Sequence, residues 1–125
     1  MKNPKTFGVW GNIEKDAFWN VLPKIINWAK DKNLELFLTE KIISDVRAKE
    51  FDQPVINSKE KISEMDFMLV LGGDGTFLSC ARAVENRSTP ILGIHLGDLG
   101  FLAKVTLENI FQRLDQVSNG LFTVE

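Results

Sequence analysis

An α/β fold of the Rossmann-like, doubly wound kind, with a mainly parallel sheet, is predicted by three features of the chain. Short apolar runs of strand length alternate with helix-patterned segments, residues 67–71 ("FMLVL") are apolar without a break, and the apolar runs end in glycine-containing turns. Alternation of strands and helices implies right-handed crossovers between parallel neighbours. An uninterrupted apolar strand is one covered on both faces, as the central strands of such sheets are.

Taken in order, residues 6–10 ("TFGVW") run into Gly11-Asn12 and read as a first buried strand and its turn. A helix follows, with Phe18, Leu22, Ile25, Ile26 and Ala29 at helical spacing, and Pro23 inside the pattern is expected to kink or divide it. Residues 34–38 ("LELFL") form a second strand after the break at Lys32-Asn33. Residues 39–66 are charged and weakly patterned, and support only a helix over 42–51 and a loop at Gln53-Pro54. Next come the strand over 67–71, a helix over 77–85, and after Pro90 a further strand, "ILGIHL", closed by Gly97-Asp98-Leu99-Gly100. No internal repeat or low-complexity segment is present.

A chain of 125 residues suits one domain with one sizeable core. A formal net charge of -2 with no long basic run argues against a nucleic-acid partner, because phosphate backbones are held by clustered Lys and Arg. The single cysteine, Cys80, excludes an internal disulfide framework and fits a reducing compartment. The opening "MKNPKTFGVWG" lacks the apolar core of a signal peptide, and no stretch is long enough to span a bilayer. The expectation is a cytoplasmic protein with no membrane partner.

The chemistry is concentrated in Gly72-Gly73-Asp74-Gly75-Thr76, directly after the most apolar strand. Ligands of open parallel sheets sit beyond the carboxyl ends of the strands. Glycines there permit positive φ and close approach, so that backbone N–H groups and the helix N-terminus can face phosphate oxygens. The turn is not a Walker A loop, since no Gly-Lys-Ser/Thr follows, nor the dinucleotide fingerprint, since Leu78 stands where the third glycine would. Asp74 is the informative residue. A carboxylate is repelled by bound phosphates, so a passive anion seat would omit it. Its presence points to orienting a hydroxyl and taking its proton during phosphoryl transfer, or to holding Mg²⁺. Helix capping by Asp74 or Thr76 is the plainer explanation, and it leaves the ordered strand, glycine pair and Asp-Gly-Thr unexplained.

With these residues in view, the chain resembles the N-terminal domain of the NAD kinases. "GGDGTFL" is shared more widely, with lipid kinases of the diacylglycerol and sphingosine type, whereas residues 92–105, "LGIHLGDLGFLAKV", resemble a segment specific to NAD kinases. The resemblance implies ATP-dependent, Mg²⁺-assisted phosphorylation of the adenosine 2'-hydroxyl of NAD to give NADP. Asp74 would be the base, Gly72, Gly73 and Thr76 would shape the phosphate turn, Gly75 would lie against the nucleotide, and Phe101 would pack near it. No metal-ligand set is assigned to side chains. Family members often carry Arg or His where this chain has Ser79, and Arg82, one turn further on, is the candidate substitute.

The family also has a second, β-rich domain with an Asn-Glu pair, and no Asn is followed by Glu here. Residues 1–125 are therefore expected to be the nucleotide-binding α/β domain alone, with residues 121–125 ("LFTVE") the start of a crossover to that second domain. The isolated domain is expected to be inactive, and its uncovered face to favour a homo-oligomer. The implied partners are NAD and ATP, or polyphosphate in its place. The alternatives are a lipid kinase relative and a catalytically silent nucleotide-binding module. His95, the only histidine, is read as structural, Asp98 as a turn residue, Cys80 as a small buried hydrophobe, and Trp10, Trp19 and Trp28 as packing residues. Gly97 and Gly100 are read as backbone requirements of the second turn.

Overall fold

The computed structural model describes residues 5–84, 89–95 and 112. Its elements are β1 (Thr6–Gly11), α1 (Asp16–Asp31), β2 (Glu35–Thr39), α2 (Glu40–Ile43), a 3₁₀ turn (Val46–Ala48), β3 (Val55–Ile56), α3 (Lys59–Ser63), β4 (Phe67–Gly72), α4 (Asp74–Val84) and β5 (Ile91–His95). The five strands form one sheet in the order β3-β2-β1-β4-β5, and every pairing is parallel. The order reverses between β1 and β4, which makes the crevice above their carboxyl ends the topological switch point.

Alternation along the strands builds two cores. Phe7 and Val9 of β1 and Phe67, Leu69 and Leu71 of β4 face α1, which presents Phe18, Leu22, Ile25 and Ile26. Met68 and Val70 face the opposite side, where Ile62 of α3 and Cys80 and Val84 of α4 cover the sheet. All six residues of β4 are buried, as expected of a strand with a helical layer on each side. The Phe7 and Phe67 rings stack across neighbouring strands at 4.8 Å, and Trp28 meets Phe7 edge-on at 6.2 Å. Burial pushes the Cys80 thiol up to about 12, so it remains a neutral packing group.

Pro23 does not divide the first helix: α1 runs unbroken through it. Pro23 is exposed, so the N–H it lacks and the carbonyl it leaves unpaired lie on the solvent side rather than in the core. The helix ends in a left-handed cap at Asn33, φ 59°, with Asn33 N donating to Lys30 O at 3.2 Å and Leu34 N to Ala29 O at 2.9 Å. The helix expected over 42–51 is broken into α2 and the 3₁₀ turn, because Asp45 turns its side chain back to accept from Arg47 N at 2.9 Å. β3 and α3 lie in the segment where no strand and no second helix was expected; Ser58 caps α3 by accepting from Lys61 N at 3.2 Å. Among the described residues no helix is long and apolar enough to cross a membrane.

Gly11 sets how closely α1 can approach β1. A Cβ there would lie 2.0 Å from Cε1 of Phe18, whose ring is fully buried. Gly11→Ala is expected to lower stability by roughly 1–3 kcal/mol, the usual cost of overpacking a filled core. Denaturant unfolding checks this, and a wild-type midpoint would show that the ring moves aside freely.

Candidate functional site

The candidate turn is tighter than a loop. Gly73 is the only residue between β4 and α4, and its carbonyl accepts from Phe77 N at 3.0 Å. Asp74, Gly75 and Thr76 are thus the first helical residues, not a loop before a helix that starts at Phe77. Their N–H groups fall among those that a helix leaves without an internal acceptor. Such a terminus favours anions, and here it opens at the carboxyl edge of the sheet.

The glycines have separate reasons. Gly72 does not take the positive φ that glycine permits; its constraint is contact, since a Cβ would lie 2.6 Å from Thr76 Oγ1 and 2.7 Å from Thr76 Cβ. The helix can start this close to the strand end only because residue 72 has no side chain. At Gly75 a Cβ would meet nothing within 4 Å, so the space in front of the first helical turn is open. Asp74 and Gly75 are exposed, and Gly73 and Thr76 are half-buried. Along α4 the exposed face continues through Leu78, Ser79 and Arg82, with Leu78 55% accessible. Ser79 and Arg82 are neighbours three positions apart on that face.

A second turn stands beside the first. Gly11 pairs with Leu71 in the sheet register, and Asn12 N donates to Leu71 O at 3.0 Å, so the chain leaving β1 is bonded to the residue before Gly72. Asn12 folds this turn by accepting from Glu14 N on its side chain at 3.1 Å and from Lys15 N on its carbonyl at 3.2 Å. The Ile13 carbonyl accepts from Trp19 Nε1 at 2.8 Å and from Arg47 Nη2 at 2.9 Å. Sequence reasoning missed this convergence: Arg47 lies 34 positions from Ile13 in a segment with no readable pattern.

On the other side of β4, the backbone of His95 pairs with Gly72 at the same edge of the sheet. Gly97, Asp98, Gly100 and Phe101 lie outside the described residues. Among the described residues no group of three or more His, Cys, Asp or Glu side chains could hold a metal. A cavity of about 170 Å³ between the end of α1 and the start of β2, lined by Ile26, Ala29, Leu34, Leu36, Gln53 and Pro54, is at the opposite edge of the sheet and contains none of the candidate residues.

The Arg47 guanidinium, donating to Asp45, holds that carboxyl below its ordinary 3.8, at about 2. A depressed carboxyl stabilises the fold above its ordinary value and loses that contribution as pH falls through its folded one. The Asp45–Arg47 contact is therefore expected to be unchanged above about pH 5 and to open between about 4 and 2. Titration of the Asp45 carboxyl by NMR checks this, and a midpoint near the ordinary value would contradict it.

Residues 7–122 match the family model for the ATP-NAD kinase N-terminal domain. The chain is 36% identical over 121 residues to an NAD kinase of Thermoanaerobacter sp. (strain X514), covering 97% of this chain and 42% of that protein. It is 37% identical over 105 residues to an NAD kinase of Clostridium kluyveri, covering 80% of this chain and 37% of that one. It thus spans about two fifths of the length of the curated relatives it matches. Its fold is that of yeast NADH kinase, solved in complex with NADH, with a TM-score of 0.76 and 16% identity over 97% of this chain and 38% of the other. An NAD kinase from Archaeoglobus fulgidus, solved in complex with ATP, gives a TM-score of 0.53 at 23% identity, over 89% of this chain and 37% of that one.

Proposed function

Because the chain belongs to the NAD kinase family through the N-terminal domain, we propose that it forms one wall of the active site of an enzyme that phosphorylates NAD. The observation that carries this reading is the exposed Asp74 carboxylate in the first turn of α4, beside the switch point and next to the open space at Gly75. Asp74 takes the proton of the adenosine 2'-hydroxyl as its oxygen attacks the γ-phosphorus of ATP. The bond from that phosphorus to the β–γ bridging oxygen breaks, and ADP leaves. N–H groups of the turn hold phosphate oxygens. By the family resemblance, Phe101, which lies outside the described residues, would pack near the nucleotide.

Mg²⁺ suits this site as an ion carried in on the donor's phosphates, because Mg²⁺ commonly keeps its waters and takes only one or two carboxylates. With Asp74 engaged by the acceptor hydroxyl, the ion would be held by phosphate oxygens and water and would offset charge on the transferring group. Arg82 supplies the cation that Ser79 does not.

The family's second domain closes the crevice from the other side. NADP formation from ATP, NAD and Mg²⁺ is expected to be negligible with these 125 residues alone and to appear once a β-rich second domain of the family is joined to them. Comparable rates in both preparations would contradict a site shared between domains.

A further inference from the structure

We propose that Arg47 is a positioning residue for the nucleotide crevice: together with the Trp19 indole it clamps the Ile13 carbonyl and so holds the β1 turn rigid beside the glycine turn. The inference rests on the kinase reading for what the crevice binds, but not for the clamp itself.

Arg47 is fixed from several sides although its side chain is 44% accessible. Its Nε and Nη2 form a fork on Asp45, at 3.0 Å to Oδ1 and 3.0 Å to Oδ2. Its Cζ lies over the Trp19 ring, 4.6 Å from the ring centre. Nη2 also reaches the Ile13 carbonyl at 2.9 Å. Arg suits this task because the guanidinium is planar, stacks on a ring and donates in several directions at once, whereas Lys offers a point charge. Fixing so long a side chain costs conformational entropy, and exposed ion pairs return little stability.

What the arrangement does achieve is local. Two N–H donors, Trp19 Nε1 and Arg47 Nη2, occupy the two lone pairs of one carbonyl in the β1 turn. The preceding residue, Asn12, is bonded to Leu71, which adjoins Gly72. The bonds therefore run without a gap from Asp45 through Arg47, Ile13 and Asn12 to the end of β4. A ligand entering at the switch point meets a β1 turn that is already ordered and has less entropy to lose on binding. Arg47 touches no reacting atom in this scheme.

The test uses the complete protein that carries this domain, with Arg47→Ala and with Trp19→Phe, which keeps a ring but deletes the N–H donor. Amide exchange is followed over residues 12–15, and KM and kcat are measured for NAD and ATP. In Arg47→Ala the turn amides should exchange about 2- to 10-fold faster and KM for at least one nucleotide should rise about 2- to 10-fold, the range of one net hydrogen bond, with kcat changed less than about twofold. Trp19→Phe should move both in the same direction. Unchanged exchange overturns the clamp. Faster exchange with both KM values unchanged, or a lowered melting temperature as the only effect, overturns its role in positioning. If wild-type protein makes no NADP, the kinase reading fails, and exchange alone then decides for or against the clamp.

Discussion

Asp74→Asn in the complete protein is expected to lower the rate of NAD phosphorylation by about 10²- to 10⁴-fold, the usual loss when an oriented general base is removed. The fold should survive, because Asp74 is exposed in the first turn of α4 and belongs to neither hydrophobic core. Asn keeps the shape and a side-chain oxygen but accepts no proton at neutral pH. If Asp74 served only the positive end of the helix, Asn would cost roughly 0.3–1 kcal/mol of stability and leave turnover nearly unchanged. The contrast separates the two roles. Turnover by the Asn variant within a few-fold of wild type, at matched melting temperature, would remove Asp74 as the base.

The second large effect is expected at the glycines, where neighbouring positions should behave oppositely. Gly72→Val must displace Thr76, whose Cβ would be 2.7 Å away and is fixed to the helix backbone. The start of α4 has to move, so stability should fall by roughly 1–3 kcal/mol and nucleotide binding should weaken with it. Gly75→Ala adds a Cβ into open space within a helix, where Ala is favoured over Gly by up to about 1 kcal/mol. Stability should be kept or raised, yet nucleotide affinity should drop, because the new methyl occupies space the ligand needs. Calorimetric unfolding and NAD titration of both variants check this. A Gly75→Ala protein that binds as well as wild type would mean that the nucleotide does not lie against the first turn of α4.

The readable parts of this molecule were those whose physics is local. The run over 67–71 identified β4 because both its faces are covered, and Gly72 to Thr76 stood out because strand end, glycines and helix start follow one another directly. The sheet order could be anticipated only as a class. β3 is two residues long and α3 five, too short for a period to register, and their charged neighbours hid them. Pro23 does not divide α1, because its cost depends on which side of the helix it faces, and that is decided by packing against the sheet. For Gly72 both freedom of φ and close approach were expected; its φ is not positive, and the neighbour that excludes a side chain is Thr76, which no sequence pattern could single out. Arg47 could not be found from sequence at all, since its bond to Ile13 joins two connections that only the folded sheet brings together.

We propose above all that this domain contributes the acceptor-activating side of an NAD kinase. That proposal is tested most directly by supplying the complete protein with ATP, Mg²⁺ and NAD and following ADP and NADP together. Both are expected to accumulate in equal amounts, with the new phosphate on the adenosine 2'-oxygen. ADP released without NADP, or phosphate transferred to diacylglycerol or a sphingoid base while NAD is left untouched, would contradict it.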